Sequence, residues 1–274
     1  MSAAVAIAKR WRGRAQRWVA PGDVFSPRNF AVDALDGRAE RLARAFVVEH
    51  HYEGTYPASQ LAVALFRGRA VAGVAVFSNP ITQLVVPART GFAAEQGVEL
   101  GRLALAPEVA YNGETWFLAR AFALLRQAKP ELRAVVSYAD PLERADAGGL
   151  VVKPQHWGII YQASNATFVG RSSPRTQILA PSGRVLSGRA LTKIRKQEQG
   201  CEYAARQLLA AGAPPRQFGE DPAAWVERAL RAPGFLRRRH PGNLAYVFGL
   251  DAVARAAVRH HARGGLPYPK RLAA

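Results

Sequence analysis

The hydrophobic pattern of the chain changes its period several times in the first hundred residues. Apolar residues at helical spacing between positions 37 and 50 predict an amphipathic helix. Residues 60–80 form two apolar runs separated by the short polar stretch 67–69, which predicts a β-hairpin. The apolar run 98–106 predicts a further strand.

The pattern continues to alternate in the second half. Asn112 precedes an apolar-periodic segment and Pro130 follows it, so a helix is expected in between, with Asn112 capping its free amides. Further on, the pattern predicts a strand at 134–140, a short helix at 158–165, a strand at 166–170, a hairpin around 181–183, and a helical, basic segment from Ser187.

This order of elements predicts an α+β fold with one mixed central sheet flanked by helices. Charge divides the chain further. The 274 residues hold 38 lysines and arginines against 20 acidic residues, a net charge of +18. Residues 1–28 carry +5, residues 29–186 only +3, and residues 187–274 carry +10.

We therefore expect a basic N-terminal arm (1–28), a catalytic domain (29–186) and a basic, largely helical C-terminal extension that packs on the core (187–274). Clustered cations favour double-stranded DNA as a partner. Codon bias is the alternative, since 32 of the 38 cations are arginine, but it does not explain their position at the two ends.

Several classes of protein are disfavoured. A single cysteine, Cys201, rules out an internal disulfide, and no apolar run approaches the roughly 18 residues of a spanning helix. The N-terminus is unlike a secretory signal, so a soluble, cytoplasmic protein is expected. The pairs His50-His51 and His260-His261 are adjacent in sequence and do not form a chelate alone, so no metal site is predicted.

Polar residues at the ends of strands are the candidates for chemistry. Glu99 and Arg102 interrupt an apolar strand and either form a buried ion pair or belong to a site. Ser137 and Asp140 lie near the carboxyl end of the next strand, where ligands bind in open sheets. The alternative for Asp140 is a turn residue before Pro141.

The segment 156–165 is rich in neutral hydrogen-bonding groups. Tyr161 and Asn165 are four residues apart and would share one helical face, with His156 a turn earlier. Together with Gln162 they are more polar groups than a plain core segment needs, because each buried amide requires a partner. A pocket that binds a base or a donor is therefore expected.

Five short motifs occur together in the chain: EL-x-R (99–102), N-x-x-T (112–115), SYADP (137–141), H-x-G-x-x-YQA-x-N (156–165) and LPYPKR (266–271). In this order they resemble the Mom family of bacteriophage DNA-modification proteins. The resemblance implies a fold similar to the N-acetyltransferases, in which two central strands splay apart around the site. It also implies conversion of adenine in DNA to N6-carbamoylmethyladenine, which shields phage DNA from restriction.

Carried over by position, the resemblance implies six catalytic candidates: His51, Tyr52, Arg102, Ser137, Asp140 and Tyr161. Tyr161 corresponds to a tyrosine that often acts as general acid. Because adenine inside a duplex is unreachable, the base must be flipped into a pocket. His156, Gln162, Asn165 and Glu99 are the candidates for contacting it. We expect Asp140 to act as general base or to orient the amino group.

The donor is expected to be acetyl-coenzyme A or a related small molecule. Asn112, Gly113 and Thr115, at a helix start, are the candidates for binding it. This loop has a single glycine where the superfamily has several, and acyl transfer would leave an acetyl group rather than a carbamoylmethyl group. The alternatives are an acetyl-coenzyme-A-dependent acetyltransferase for another amine and a non-enzymatic DNA-binding protein.

Overall fold

The computed structural model describes residues 9–12, 15–18, 25–110 and 112–270. Before residue 25 it describes only the backbone of a two-stranded hairpin, strands β1 and β2 (Lys9–Arg12, Ala15–Trp18). The remainder of the predicted basic arm 1–28, including its tryptophan and arginine side chains, lies outside the described residues.

Eleven further strands and eight helices follow. The strands are β3 (Ala31–Leu35), β4 (Ser59–Arg67), β5 (Ala70–Ser78), β6 (Gly97–Leu105), β7 (Ala134–Ala139), β8 (Arg144–Ala145), β9 (Val151–Lys153), β10 (Thr167–Arg171), β11 (Arg175–Leu179), β12 (Leu236–His240) and β13 (Leu244–Gly249). The helices are α1 (Glu40–His50), α2 (Val85–Thr90), α3 (Gly113–Ala128), α4 (Ile159–Ala163), α5 (Gly188–Lys196), α6 (Cys201–Ala210), α7 (Pro222–Ala229) and α8 (Ala252–His261).

Seven strands form the central sheet, in the order β10-β13-β7-β6-β5-β4-β3. All neighbouring strands are antiparallel except β6 and β7, which are parallel and are joined through helix α3. The predicted hairpin is confirmed as β4 and β5. Side chains at the centre of both strands are buried, and the apolar faces of α1 and α3 belong to the same core.

The parallel strands β6 and β7 separate soon after they meet. They pair only over Gly97–Glu99 and Ala134–Val136, although both continue beyond these residues. Strand β6 has a bulge at Gly101, because the residues on either side of it pair with consecutive residues of β5. A side chain at Gly101 would collide with the hydroxyl of Ser78. The mixed sheet and its splayed pair confirm the expected α+β, N-acetyltransferase-like fold.

The chain divides into two compact units: the first comprises residues 1–141, 156–172 and 243–274, and the second comprises residues 142–155 and 173–242. This division differs from the predicted boundary at residue 187. Strand β13 (Leu244–Gly249) lies in the central sheet between β10 and β7, because its apolar run is buried on both faces. The segment 187–274 is therefore not one extension.

The second unit combines helices α5, α6 and α7 around an apolar core with the ribbon β11–β12. The predicted turn at 181–183 is present, since the Gly183 amide donates to the Ala180 carbonyl at 2.8 Å. Its hairpin amounts to a single bridge between Leu179 and Val185, and the main partner of β11 is β12. Distant strand pairing, which local pattern does not encode, decides the register here.

Candidate active site

Tyr161 lies in the short helix α4 and is buried beneath the sheet strands. Its ring contacts those of His156, Tyr246 and Phe248, with centroid distances of 5.5, 5.4 and 6.1 Å. Burial raises the pKa of Tyr161 to about 12, and the neighbouring Ser137 hydroxyl opposes this rise. The phenol therefore stays protonated at neutral pH and can donate a proton.

Ser137 is fully buried on strand β7. Among the described residues its hydroxyl has no hydrogen bond of acceptable geometry, although it lies close enough to the Tyr161 hydroxyl to affect the pKa of that phenol. Buried polar groups usually have partners, so an unsatisfied hydroxyl is typical of a functional site. The Ser137–Tyr161 pair is the first part of the candidate site.

Glu99 lies at the last paired position of β6, opposite Val136, where the two parallel strands begin to part. Burial raises the pKa of its carboxyl from 4.5 to about 6, and attraction to Arg102 partly opposes the rise. The charge of Glu99 also contributes to the raised pKa of Tyr161, so the two groups act on one another. A carboxylate with this pKa is well matched to accept a proton near neutral pH.

Arg102 contacts the loop after helix α1. Its Nε donates to the Thr55 carbonyl at 2.9 Å, one terminal nitrogen donates to the Thr55 hydroxyl at 2.8 Å, and the other donates to the Gly101 carbonyl at 2.6 Å. The structure therefore favours Arg102 as an anchor for this loop. Its influence on Glu99 is electrostatic.

His51 and Tyr52 occupy that same loop. His51 ends helix α1, its ring stacks on Tyr52 at 4.3 Å, and its Nδ1 accepts a hydrogen bond from the Glu53 amide at 3.2 Å. Both side chains are half-buried. The structure shows no contact from either to Tyr161, and their link to strand β6 runs through the anchored Thr55.

The amide of Gln162 is used within the fold. Its Nε2 donates to the Trp157 carbonyl at 3.0 Å and to the Tyr246 hydroxyl at 3.1 Å, and that hydroxyl also donates to the Trp157 carbonyl at 2.6 Å. Gly158 lies against this cluster with a φ of +71°, and a side chain there would come within 2.7 Å of the Tyr246 ring. Much of the neutral polar chemistry of segment 156–165 thus holds helix α4 in place.

His156 and Asp140 lie at the edge of the candidate site. The His156 amide donates to the Asp140 carbonyl at 2.9 Å, which joins the end of β7 to the turn before α4. The His156 Nδ1 accepts from the Gly158 amide at 3.3 Å. Asn165 behaves differently: it follows the end of α4, has a φ of +61° and is exposed. The prediction that Asn165 shares a helical face with Tyr161 is wrong.

The start of helix α3 was predicted to hold the donor. Asn112 does not cap the helix with its side chain: it has a φ of +70°, and its carbonyl accepts from the Thr115 hydroxyl at 3.1 Å. Gly113 is packed closely, because a side chain there would come within 2.5 Å of Val109 and 3.2 Å of the Phe25 ring. Close packing explains this glycine without any phosphate.

Comparison with known families gives a clear result. The family model described as the Mom protein family matches residues 34–220. The chain belongs to the Mom protein family. The matched region includes Glu99, Ser137 and Tyr161, and it excludes β13. Membership of this family together with the fold supports a transferase-type enzyme.

Solved structures with a similar outline are distant from this Mom protein. A tandem GNAT protein from the clavulanic acid biosynthesis pathway (without AcCoA) is 10% identical, with 81% of this chain and 99% of that chain covered and a TM-score of 0.41. A malonyl-CoA decarboxylase from Cupriavidus metallidurans is 12% identical, with 88% and 66% covered and a TM-score of 0.34. A GCN5-related N-acetyltransferase from Kribbella flavida is 12% identical, with 87% and 62% covered and a TM-score of 0.29. No curated protein matches.

Two residues that support the site of this Mom protein were missed in the sequence. Tyr246 was overlooked because the region from Ser187 was interpreted as helical, although its apolar run is bounded by Pro241 and Gly242, an ordinary strand signal. Thr55 carries no signal in the sequence, since only the fold brings it to Arg102. Among the described residues, no three potential ligand side chains converge on a metal position, and no helix is suited to crossing a bilayer.

Proposed function

We propose that this Mom-family protein is a DNA-modifying transferase that converts adenine to N6-carbamoylmethyladenine and so protects DNA from restriction. The observation that carries the proposal is the position of the two specific motifs. SYADP contributes Ser137 and H-x-G-x-x-YQA-x-N contributes Tyr161, and these hydroxyls are buried side by side near Glu99, where the parallel strands part.

The chemistry follows from the protonation states. Glu99, with a pKa of about 6, is largely a carboxylate at neutral pH and accepts a proton from the adenine amino group. The N6 nitrogen forms a bond to the methylene carbon of the donor, and the bond from that carbon to the leaving group breaks. Tyr161, which stays protonated, gives its proton to the leaving group. Ser137 orients the Tyr161 hydroxyl.

The remaining candidates take supporting roles. Asp140 and His156, joined by a backbone hydrogen bond, lie where a flipped base would enter, and Asp140 orients its amino group. His51 and Tyr52 supply an aromatic surface on the loop that Arg102 anchors. Gln162 supports helix α4, and exposed Asn165 contacts the nucleotide from outside.

The donor is a small molecule with an activated carbamoylmethyl group. Coenzyme A fits the start of helix α3 poorly. Helix N-termini bind phosphate through free amides, but here the first turn carries the carboxylate of Glu114, and the space beside Gly113 is filled by Val109 and Phe25. No step of the mechanism therefore depends on coenzyme A.

The test is nucleoside mass spectrometry of DNA from cells that express the protein or its Tyr161→Phe variant. We expect an adenosine heavier by the carbamoylmethyl group with the wild type only, together with resistance to adenine-sensitive restriction enzymes. An N-acetyl adduct would point to acyl transfer from acetyl-coenzyme A. A modified pyrimidine would refute the adenine assignment, and unmodified DNA would refute the proposed function.

A further inference from the structure

The second unit contains three packed helices with a core of their own. Helices α5, α6 and α7 bury a shared set of side chains: Leu191, Ile194, Ala204, Leu208, Trp225, Val226 and Ala229. Ser187 caps α5 through the Ala190 amide, and Asp221 caps α7 through the amides of Ala223 and Ala224. Capped helices with a common core form a well-defined scaffold.

Helices α5 and α6 are joined by a four-residue turn, Gln197–Gly200. The Glu198 amide donates to the Lys193 carbonyl at 3.0 Å, and Gln197 and Gly200 have φ angles of +52° and +82°. This is a Schellman-type helix end followed at once by the next helix. Two helices joined by a turn of three or four residues that contains glycine are typical of the helix–turn–helix.

The outward face of α6 has the side chains that a recognition helix needs. Its inward face is buried through Ala204 and Leu208, whereas four polar side chains face solvent: Glu202, Tyr203, Arg206 and Gln207. Tyr203 is 61% exposed. Arginine hydrogen-bonds guanine edges, glutamine adenine edges and glutamate the cytosine amino group, so this face can read bases in a major groove.

The charge of this unit suits the same partner. It holds 15 lysines and arginines against seven acidic residues. Three of those acids are neutralised by arginines of the unit: Glu198 by Arg189, Glu220 by Arg228, and Glu227 by Arg195 and Arg237. Several cations of the described chain make no such pair, among them Lys193, Lys196, Arg206, Arg231 and Arg239. An excess of unpaired cations is the electrostatic signature of phosphate binding.

We propose that α5 and α6 form a helix–turn–helix that binds duplex DNA, with α6 in the major groove and the lysines of α5 on the phosphates. This inference rests on the proposed DNA-modifying function and deepens it, because it assigns target recognition to the second unit. Lys196 and Arg206 are phosphate contacts, and Gln207 reads a base edge.

The first test measures binding of the full-length protein to a fluorescent 20-bp duplex at several salt concentrations. The double variant Lys196→Ala/Arg206→Ala is compared with Arg67→Ala/Arg69→Ala, which removes the same charge from the exposed β4–β5 turn. We expect the slope of log affinity against log salt to fall by about 1.8 in the first variant, about 0.9 per contact, and to stay unchanged in the second. Equal slopes in the two variants would overturn the proposal.

The second test asks whether α6 reads sequence. Duplexes are selected from a randomised library with the wild type, with Gln207→Ala and with Gln217→Ala, an exposed glutamine outside the helices. Gln207→Ala should lose discrimination at one base pair by roughly 5- to 150-fold, whereas Gln217→Ala should select the wild-type sequence. An unchanged selection by Gln207→Ala, or a wild type without sequence preference, would overturn the base-reading role.

Mass spectrometry of DNA from the same strains separates the two hypotheses. If the wild type modifies adenine while the Lys196→Ala/Arg206→Ala variant keeps its salt slope, the docking surface is refuted and the proposed function stands. If no modified nucleoside forms but the salt slope falls as expected, the docking surface stands and the proposed reaction is refuted. Far-ultraviolet circular dichroism confirms that each variant is folded.

Discussion

Glu99→Gln should make the protein more stable and at the same time inactive. The folded state holds this carboxyl in surroundings that raise its pKa from 4.5 to about 6, mainly through burial. Glutamine keeps the shape and the hydrogen-bonding capacity of the neutral acid and cannot ionise. The substitution therefore removes the cost of holding a buried charge, and it also removes the proposed proton acceptor.

The size of the effect follows from proton linkage. Because the pKa is higher in the folded state, the unfolded chain loses this proton first as pH rises, and the free energy of unfolding falls between about pH 4.5 and pH 6. The full loss is about 2 kcal/mol, at 1.36 kcal/mol for each pH unit between the two pKa values. Relative to the wild type, Glu99→Gln should gain less than about 1 kcal/mol at pH 5 and about 2 kcal/mol at pH 8.

Urea denaturation of both proteins at pH 5 and pH 8 measures this difference, with Glu95→Gln as the control because Glu95 is exposed. Activity is measured as modified adenine per genome. In the wild type kcat/KM should rise with pH through about 6, as the carboxylate forms. A Glu99→Gln variant that modifies DNA normally, or whose stability relative to the wild type does not depend on pH, would refute the reasoning.

Three further predictions use paired variants. Tyr161→Phe should lower modification about a hundredfold or more with little change in stability, whereas Tyr246→Phe, which loses a 2.6 Å hydrogen bond to a backbone carbonyl, should cost about 1–2 kcal/mol in urea denaturation. Gly101→Ala should destabilise by about 1–3 kcal/mol because its bulge has no space for a side chain, whereas Gly188→Ala, with no neighbour within 4 Å, should not. Arg102→Gln should move the acid limb of the pH–rate profile above pH 6, because Arg102 lowers the pKa of Glu99; an unmoved limb would contradict this coupling.

Elements with strong local periodicity could be predicted from the sequence. The β4–β5 hairpin and helix α3 are examples, because their apolar residues follow one period over many positions. Strand β13 could not be placed, since its partner β7 is more than 100 residues earlier and no local rule encodes such a pairing. The side-chain partners were equally hidden: Arg102 was expected to meet a ligand or Glu99, and the fold gives it Thr55.

The charge of the C-terminal region also looks different once these partners are known. Arg237, Arg238 and Arg239 form one basic run on strand β12, but Arg237 pairs with Glu227 at 3.1 Å and Arg238 donates to the Glu143 carbonyl at 2.6 Å. Reversing the charge of all three would therefore disturb the fold of the second unit. Arg239, which is exposed and makes no ion pair within the described chain, is the member suited to a binding test.

The C-terminal segment has a structural part in the site that explains why LPYPKR accompanies the other motifs. Helix α4 has only five residues, too few to be stable alone. Tyr246 holds the segment before it through the Trp157 carbonyl, and Tyr268 holds the segment after it by donating to the Ala166 carbonyl at 2.7 Å. The proposed acid, Tyr161, thus lies on a short helix that two distant tyrosines anchor at its two ends. A truncation that removes both would release Tyr161 from Ser137, so the loss of activity it causes would say nothing about DNA binding.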